Sequence, residues 1–307
     1  MAERGDGGAP VTHRPRLGVL GVGLMGEGMV RRLLDRGWTV TAWNLEPERL
    51  ALVVPHGAAA APTPAAVAAA SDVVLTCVLH AEAVENCLFG PAGVAAAGTS
   101  GGAGKLLVDL STIPPDAARA LAARLSAEAD MGFVDAPVSG GPPAAREGSL
   151  TVMAGGAPED FARAEPVLRE LGANATRLGP VGAGQTAKVL NQAIVGTGFV
   201  LLAEALAMAE AAGLDAAAVP AALAGGFADG ALLQRIWPLM QRRAFDPPLG
   251  YARQLLKDMH AVEAFAHSLG LELPVVQAAV ARFDSYVARG NAMADSVSVI
   301  RLYREDP

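Results

Sequence analysis

The chain has only two cysteines and five histidines in 307 residues. Cys77 and Cys87 form no C-x-x-C motif and have no histidine at ligand spacing, so we interpret them as buried structural thiols and not as a metal or redox site. The histidines are scattered. Although His260 and His267 would share one face of a helix, no acidic third ligand accompanies them. We therefore predict no bound metal.

Positive charge is also scarce. The chain has 24 Lys and Arg against 31 Asp and Glu, which gives a formal net charge of -7 and a sequence pI near 5.3. Without a basic patch, a protein cannot neutralise the phosphates of a nucleic-acid backbone. We predict no nucleic-acid partner.

The sequence also lacks an uninterrupted apolar run of about 18 residues, the length that a membrane-spanning helix needs. Its most hydrophobic segment, residues 193–206, is interrupted by two glycines, a threonine and Glu204, so we interpret it as a buried helix. Residues 1–14 are polar and glycine-rich without the apolar region of a signal peptide, and we expect a flexible terminus. We predict a cytoplasmic protein with no membrane partner.

The first half of the chain alternates short β-branched runs with helical stretches, a pattern typical of βαβ units and a mostly parallel sheet. In the second half, long Ala- and Leu-rich segments indicate helices, and Thr63 followed by Pro64 favours a short helix in the alanine-rich tract. Strands are predicted at 16–20, 39–43, 73–78, 106–109, 132–136 and 150–154, and helices at 184–212, 215–223, 232–242, 251–269 and 274–289. Domain boundaries are predicted at 1–14, 15–181 and 182–307.

A glycine-rich loop follows the first predicted strand and opens a helix. Gly21, Gly23 and Gly26 form G-x-G-x-x-G, with Leu24 and Met25 before the last glycine. In this context Gly21 allows the tight turn, Gly23 lets the backbone approach a pyrophosphate, and Gly26 permits close packing of helix and strand. The alternative is a plain strand-helix turn. We favour a dinucleotide site, because the helix N-terminus adds amide donors for the anion.

The end of the second predicted strand is where such a domain reads the adenosine ribose. Asn44 would hold a 2′-hydroxyl weakly, and Leu45 cannot bind a 2′-phosphate. Glu46 and the missing guanidinium at position 45 favour NAD slightly over NADP, although Arg49 could still reach a phosphate.

Two further loops follow predicted strands, and both place polar groups where ligands of open α/β sheets bind. Ser111 and Thr112 follow Asp109, either as ligand contacts or as caps of the next helix. Residues 139–141, Ser-Gly-Gly, would let backbone N–H groups and a hydroxyl grip a carboxylate; the alternative is an ordinary tight turn.

Lys188 stands in an apolar segment with Asn191 and Gln192 three and four residues later, on one helical face. A buried charge without a partner costs several kcal/mol, so this face meets a cavity, a ligand or a compensating carboxylate. A structural salt bridge is the alternative interpretation.

Taken together and in this order, these motifs resemble the β-hydroxyacid dehydrogenase family over nearly the whole chain from about Arg14. The segments that carry the resemblance are 21–26, 109–114, 135–141, 148–151, 182–192 and 257–258. The Lys-x-x-Asn-Gln pattern is most similar to the tartronate semialdehyde reductase branch. The resemblance implies a Rossmann-like N-terminal domain, a long interdomain helix and an all-α C-terminal domain that forms homodimers or homotetramers.

The same resemblance implies roles for individual residues. Lys188 matches the catalytic lysine and general acid/base, which would act on a small β-hydroxy acid or the matching semialdehyde with NAD or NADP. Ser139, Gly140 and Gly141 match the substrate-carboxylate loop, Gln192 matches a substrate-binding position, and Thr112 and Lys257 match positions near the cofactor. Asn191 either contacts the substrate or only orients Lys188. We also predict cofactor contacts at Gly21, Gly23, Leu24, Met25, Gly26, Asn44 and Leu79. Asp258 completes the family's Lys-Asp pair. An imine reductase on the same architecture and a non-catalytic dinucleotide-binding relative are the alternatives.

The chain departs from the family pattern at three places. Leu45 replaces the arginine of NADP-preferring members, and His80 stands where the family often has proline; we assign His80 no chemical role. The aromatic residue that often precedes the Lys-Asp pair has no clear match in 245–250. We expect the side-chain pocket to come from residues 227–233 and the region around Leu249.

Overall fold

The computed structural model describes residues 14–304, so most of the predicted flexible terminus lies outside the described residues. A nine-stranded sheet dominates the first half of the chain. The strands are Leu17–Leu20 (β1), Val40–Trp43 (β2), Ala59–Ala60 (β3), Val73–Thr76 (β4), Leu106–Asp109 (β5), Gly132–Asp135 (β6), Val138–Ser139 (β7), Leu150–Gly156 (β8) and Gly172–Gly179 (β9). Their order is β3-β2-β1-β4-β5-β6-β8-β7, with β9 also paired to β8. Among these nine strands, only the pairs β6–β8 and β7–β8 are antiparallel, which confirms the mostly parallel sheet.

Twelve α-helices occur in the described part of the chain. They are Leu24–Asp35 (α1), Pro64–Ala70 (α2), Ala81–Phe89 (α3), Gly98–Gly102 (α4), Pro115–Ala129 (α5), Gly141–Glu147 (α6), Pro158–Leu171 (α7), Ala183–Ala211 (α8), Val219–Leu223 (α9), Ala231–Gln241 (α10), Ala252–Ser268 (α11) and Pro274–Tyr286 (α12). Thr63 caps α2 as predicted, since its hydroxyl accepts the N–H of Ala66. The helix predicted at 215–223 is shorter than expected and begins at Val219.

Successive side chains of the central strands point to opposite faces of the sheet, and apolar side chains cover both faces. Leu75 on β4 belongs to one buried cluster, together with Met29 and Leu33 of α1. Its neighbour Val74 belongs to another, together with Leu125 of α5. Because successive residues of a strand point to opposite faces, a continuously apolar strand such as β4 is buried on both sides. Because β1, β4 and β5 pair in parallel, their carboxyl ends lie at one edge of the sheet.

The helix α8 joins the sheet to the helical half of the chain. It packs against β8 at one end and against α10, α11 and α12 further along. At Gly196, α8 comes close to α11: a Cβ there would lie 2.5 Å from the sulfur of Met259, so the Met259 side chain fills the space that glycine leaves. The third buried cluster, which includes Phe199, Trp237 and Phe283, fills the helical half. The domain boundary between residues 181 and 182 stays a prediction.

By length and composition alone, α8 could cross a membrane, and 39% of its most apolar window is buried inside the protein. One side of α8 packs against β8 and the three helices inside the protein. This packing accounts for the apolar residues on the buried side of α8, and several large apolar side chains on its other side are exposed.

Candidate active site

Two cavities open near the carboxyl edge of the sheet. The first, which we call the edge cavity, measures about 670 Å³. Among its lining residues are Gly21, Gly23, Asn44 and Leu79, four of the predicted cofactor contacts. The second, which we call the cleft, measures about 380 Å³ and lies between the loop after β5 and the helices α8 and α11. Both cavities are lined by His80, so they adjoin.

The three glycines of the first loop differ in what a side chain would meet at their positions. Gly21 has a φ of +102°, and a Cβ there would lie 2.3 Å from the carbonyl oxygen of Cys77. A Cβ at Gly26 would lie 2.0 Å from the carbonyl oxygen of Gly21. Gly23 has an ordinary φ of -77°, and a Cβ there would meet nothing within 4 Å. The fold itself requires Gly21 and Gly26, whereas Gly23 leaves open space in front of the N-terminus of α1.

A hydrogen-bonded cluster holds the glycine loop to the end of β2. The side-chain Oδ1 of Asn44 accepts the N–H of Val22 at 2.7 Å, and Nδ2 of the same side chain donates to the Glu46 carboxylate at 2.8 Å. Arg49 donates from Nε to the carbonyl oxygen of Val22 at 2.8 Å and lines the edge cavity. Leu45, by contrast, is 75% exposed. Glu46 and Arg49 thus both line this cavity.

Buried polar side chains lie at the carboxyl ends of β4 and β5 and in the loop after β5. The Thr76 hydroxyl and the N–H of Ser111 both donate to Oδ1 of Asp109, at 2.7 and 3.1 Å. Burial raises the pKa of Asp109 to about 6 against the lowering effect of these hydrogen bonds. The Ser111 hydroxyl accepts the N–H of Val78 at 3.0 Å. The alternative that Ser111 or Thr112 caps α5 is wrong, because this helix starts after Pro114 with no side-chain cap.

Lys188 lies in the cleft and is only 7% exposed. Burial lowers its pKa, Asp258 opposes that effect, and Lys257 adds to it. Thr112, Gln192 and Lys257, three further predicted site residues, line the same cleft. The predicted set around Lys188 is therefore largely brought together, and the lysine is driven toward its neutral form.

The amides near Lys188 are engaged with one another. Gln192 donates from Nε2 to Oδ2 of Asp258 at 2.8 Å. The side-chain Oε1 of Gln192 accepts from Asn191 Nδ2 at 2.8 Å. Lys257 pairs with Oδ1 of Asp258 at 3.3 Å. Asn191 does not line the cleft, so in this geometry it orients Gln192.

The remaining predicted residues lie elsewhere. Ser139 ends β7, and Gly140 and Gly141 have φ values of +138° and +76°, which fits a loop that aims successive N–H groups. These three residues line neither cavity, and neither do Leu24, Met25 or Gly26. Leu24 is 67% exposed beside the glycine loop.

The residues predicted for the side-chain pocket, 227–233 and the region around Leu249, do not line the cleft, and their role stays a prediction. Phe227 is fully exposed and Leu249 is 60% exposed, and neither lines the cleft. The wall comes from α11 instead, through Ala261, Ala264 and Phe265. Their spacing of three and four residues marks them as one helical face, but the sequence does not tell which element that face meets.

His80 was assigned no role, yet it borders both cavities. Its Nδ1 accepts the N–H of Ala83 at 3.2 Å and so caps α3. In the sequence, His80 lies between a predicted strand and the helix that follows. This N-cap position is the signal that places His80 at the carboxyl edge of the sheet. Among residues 14–304, no group of three or more His, Cys, Asp or Glu is arranged to hold a metal ion.

A dinucleotide fits this arrangement. The open space at Gly23 exposes the N-terminus of α1 to an anion, and the adjoining cavities give room for two linked nucleotides. The Asn44, Glu46 and Arg49 cluster would meet the adenosine ribose, while Thr112 and Lys188 would lie at the other end.

Known proteins match the chain over almost its whole length. Residues 16–179 match the family described as the NAD binding domain of 6-phosphogluconate dehydrogenase. Residues 182–303 match the family described as NAD-binding of NADP-dependent 3-hydroxyisobutyrate dehydrogenase. A 2-hydroxy-3-oxopropionate reductase from Escherichia coli is 35% identical, with 93% of this chain and 96% of the relative covered. An L-threonate dehydrogenase from Cupriavidus necator is 34% identical, with 94% and 95% covered.

Solved structures agree with these matches. A 3-hydroxyisobutyrate dehydrogenase from Salmonella typhimurium superposes with a TM-score of 0.80 at 29% identity, covering 94% of this chain and 99% of that one. An imine reductase from a Pseudomonas species reaches a TM-score of 0.61 at 20% identity, covering 95% and 100%. The latter likeness concerns the fold alone.

Proposed function

The chain belongs to the β-hydroxyacid dehydrogenase family, and from this membership we propose that Lys188 is the general acid/base for hydride transfer between NAD(P) and a small β-hydroxy acid or the matching semialdehyde. The observation that carries the proposal is the position of Lys188, which is buried in a cleft adjoining the edge cavity with its pKa lowered by burial. Two relatives that cover nearly the whole chain are named as a reductase and a dehydrogenase, and this chain is an oxidoreductase that uses NAD or NADP.

The mechanism divides between cofactor and protein. When bound, the nicotinamide supplies or accepts the hydride. In oxidation, neutral Lys188 takes the hydroxyl proton through Nζ, and in reduction the ammonium gives that proton back. A lowered lysine pKa serves both directions, because the group then exchanges a proton closer to neutral pH.

The substrate carboxylate needs donors, and we propose that Ser139 with the N–H groups of Gly140 and Gly141 supplies them. This loop follows the end of β6, where Asp135 accepts the N–H groups of Gly182 and Gln185 at 2.8 Å each. The loop thus starts beside the first turn of α8. Gln192 faces the cleft and would contact the hydroxyl or carboxylate.

The test is a screen for substrate-dependent change in nicotinamide absorbance. We expect activity on at least one of 3-hydroxyisobutyrate, glycerate, serine, 3-hydroxypropionate, glyoxylate and succinic semialdehyde. Activity on a cyclic imine with none on these acids would favour an imine reductase instead. No change with any substrate would favour a non-catalytic relative.

Cofactor choice depends on the charges at the end of β2, and we propose a modest preference for NAD. The Glu46 carboxylate would lie near a 2′-phosphate and repel it, while Arg49 would attract it. Glu46→Gln should therefore raise kcat/KM for NADP about 3- to 10-fold and change that for NAD by less than about threefold.

Glu48→Gln is the matched control for this measurement, because Glu48 lies near Glu46 in the chain but does not line the edge cavity. It should leave the ratio of NADP to NAD unchanged. An unchanged ratio in Glu46→Gln would mean that this carboxylate does not read the ribose.

We also propose a homodimer, or a homotetramer built from it, through the exposed face of α8. Four large apolar side chains on this helix, each 59–70% exposed, lie within about 40° of one another around its axis: Leu190, Ile194, Leu201 and Met208. They span about 27 Å on the side opposite Lys188. An exposed row of large apolar side chains of this kind favours a protein interface.

Ile194→Glu should convert the assembly to a monomer, because the charge would be buried in the interface. Light scattering coupled to size-exclusion chromatography measures the mass. Leu178→Glu, at a 52% exposed position on β9, should leave the mass unchanged. A monomeric wild-type protein would contradict the interface.

We further propose that the enzyme is soluble and cytoplasmic, with no nucleic-acid or membrane partner. Support comes from the excess of acidic residues and from the packing of α8 within the protein.

A further inference from the structure

Gln185 lies one helical turn before Lys188 on α8 and is completely buried. Its carbonyl oxygen accepts the N–H of Ile113 at 3.1 Å, and its Nε2 donates to the carbonyl oxygen of Ser111 at 2.8 Å. One side-chain amide thus pairs with two backbone groups of the same loop, as a neighbouring strand would. Between these two backbone groups stands Thr112, which lines the cleft.

The same loop is also fixed from the cofactor side. The Ser111 hydroxyl accepts the N–H of Val78 at 3.0 Å, and the two residues after Val78 line the edge cavity. On the helix side, the N–H of Gln185 donates to Oδ2 of Asp135 at 2.8 Å. A continuous hydrogen-bonded path therefore runs from the edge cavity through Ser111 and Gln185 to the helix that carries Lys188.

We propose that Gln185 is a positioning residue that sets the Lys188 helix against the strand-end loops of the cofactor site. The inference rests on the proposed function of Lys188. An amide has one donor side and one acceptor side, and the two backbone groups that it meets need both. Its Cα is only about 4.5 Å along the helix axis from that of Lys188, so a shift at Gln185 moves Nζ. A displacement of about 1 Å between reacting groups can cost about 10²-fold in rate.

The decisive variant is Gln185→Glu, because its bonding depends on protonation. A protonated carboxyl donates to Ser111 and accepts from Ile113 as the amide does, whereas the carboxylate cannot donate. The titratable groups around this position are Asp135 at the end of β6, Asp109 on β5 and Lys188 on α8. Burial beside two carboxyl groups favours the protonated form of the new side chain, so rescue should occur as the pH falls.

We expect kcat of Gln185→Glu, relative to wild type at the same pH, to be about 10- to 100-fold low at pH 9 and within about threefold at pH 6. Gln185→Met should be low by a similar factor at both pH values, since it cannot bond either backbone group. The dissociation constant for NADH, measured by its fluorescence, should stay within about threefold in both variants. The assay uses glycerate or, if glycerate is inactive, the most active acid of the screen.

Gln234→Glu is the matched control, because Gln234 also bonds a backbone carbonyl, that of Pro220, but lies outside both cavities. Its pH profile should follow that of wild type. A kcat within about threefold of wild type in Gln185→Met, or a Gln185→Glu profile parallel to wild type, would overturn the positioning role. Lys188→Met, assayed in parallel, separates the two failures: an active Lys188 variant refutes the proposed function, and an inactive one with unaffected Gln185 variants refutes only this inference.

Discussion

Replacing Lys188 by alanine or methionine should lower the turnover number by at least about 10²-fold, while the dissociation constant for NADH changes by less than about threefold. The loss follows because Lys188 lies in the cleft with its pKa lowered and is the proposed acid/base there. Cofactor binding should persist, since the glycine loop and the Asn44 cluster contact the edge cavity without it. Stopped-flow turnover and fluorescence titration measure the two quantities.

Methionine is the sharper of the two replacements. It keeps most of the aliphatic volume of a side chain that is only 7% exposed, and it removes a buried charge, so the protein should be no less stable. Lys105→Met is the matched control, because Lys105 donates to the backbone carbonyl of Ala68 and lies outside both cavities. Undiminished turnover in both Lys188 variants would exclude this residue as the proton-transfer group.

The sequence predicted those parts of the fold that local pattern determines. The strands β1, β2, β4, β5, β6 and β8 follow from β-branched runs that end in turn residues, and the long helix α8 follows from its composition. The eight-residue strand β9 was missed because its sequence GANATRLG has neither an apolar run nor an alternation. It pairs at the margin of the sheet with half its residues exposed, so the neighbour β8 and not its own pattern makes it a strand.

In the candidate site, too, local pattern separates the residues that the sequence predicted from those that it did not. The glycine loop and Lys188 were found because each breaks a local rule: three glycines at a helix start, and one charge in an apolar helix. His80, Gln185 and the α11 wall of the cleft were missed, because their roles depend on which elements meet across the fold. Gln185 is one of several uncharged polar residues of α8, and the sequence does not tell which loop it will bond.

Gly23→Ala should weaken the binding of both NAD and NADP at least about tenfold while leaving the fold intact. Gly23 has a φ of -77° that alanine adopts without strain, and its new methyl group would meet no protein atom within 4 Å. The methyl would instead occupy the space in front of the helix N-terminus, where a pyrophosphate must approach the backbone. Isothermal titration measures the affinity, and thermal unfolding should show a change in stability below about 1 kcal/mol.

Gly26→Ala is the comparison for the stability measurement, because its methyl group would meet the protein itself. Its Cβ would lie 2.0 Å from the carbonyl oxygen of Gly21, so the loop or α1 must move, at a cost of about 1–3 kcal/mol in unfolding free energy. The two variants differ by one methyl group each and stand three residues apart. If Gly23→Ala bound cofactor as tightly as wild type, the pyrophosphate would not lie against this loop. If Gly23→Ala lost as much stability as Gly26→Ala, protein atoms would occupy the space at Gly23 and leave no room for a ligand.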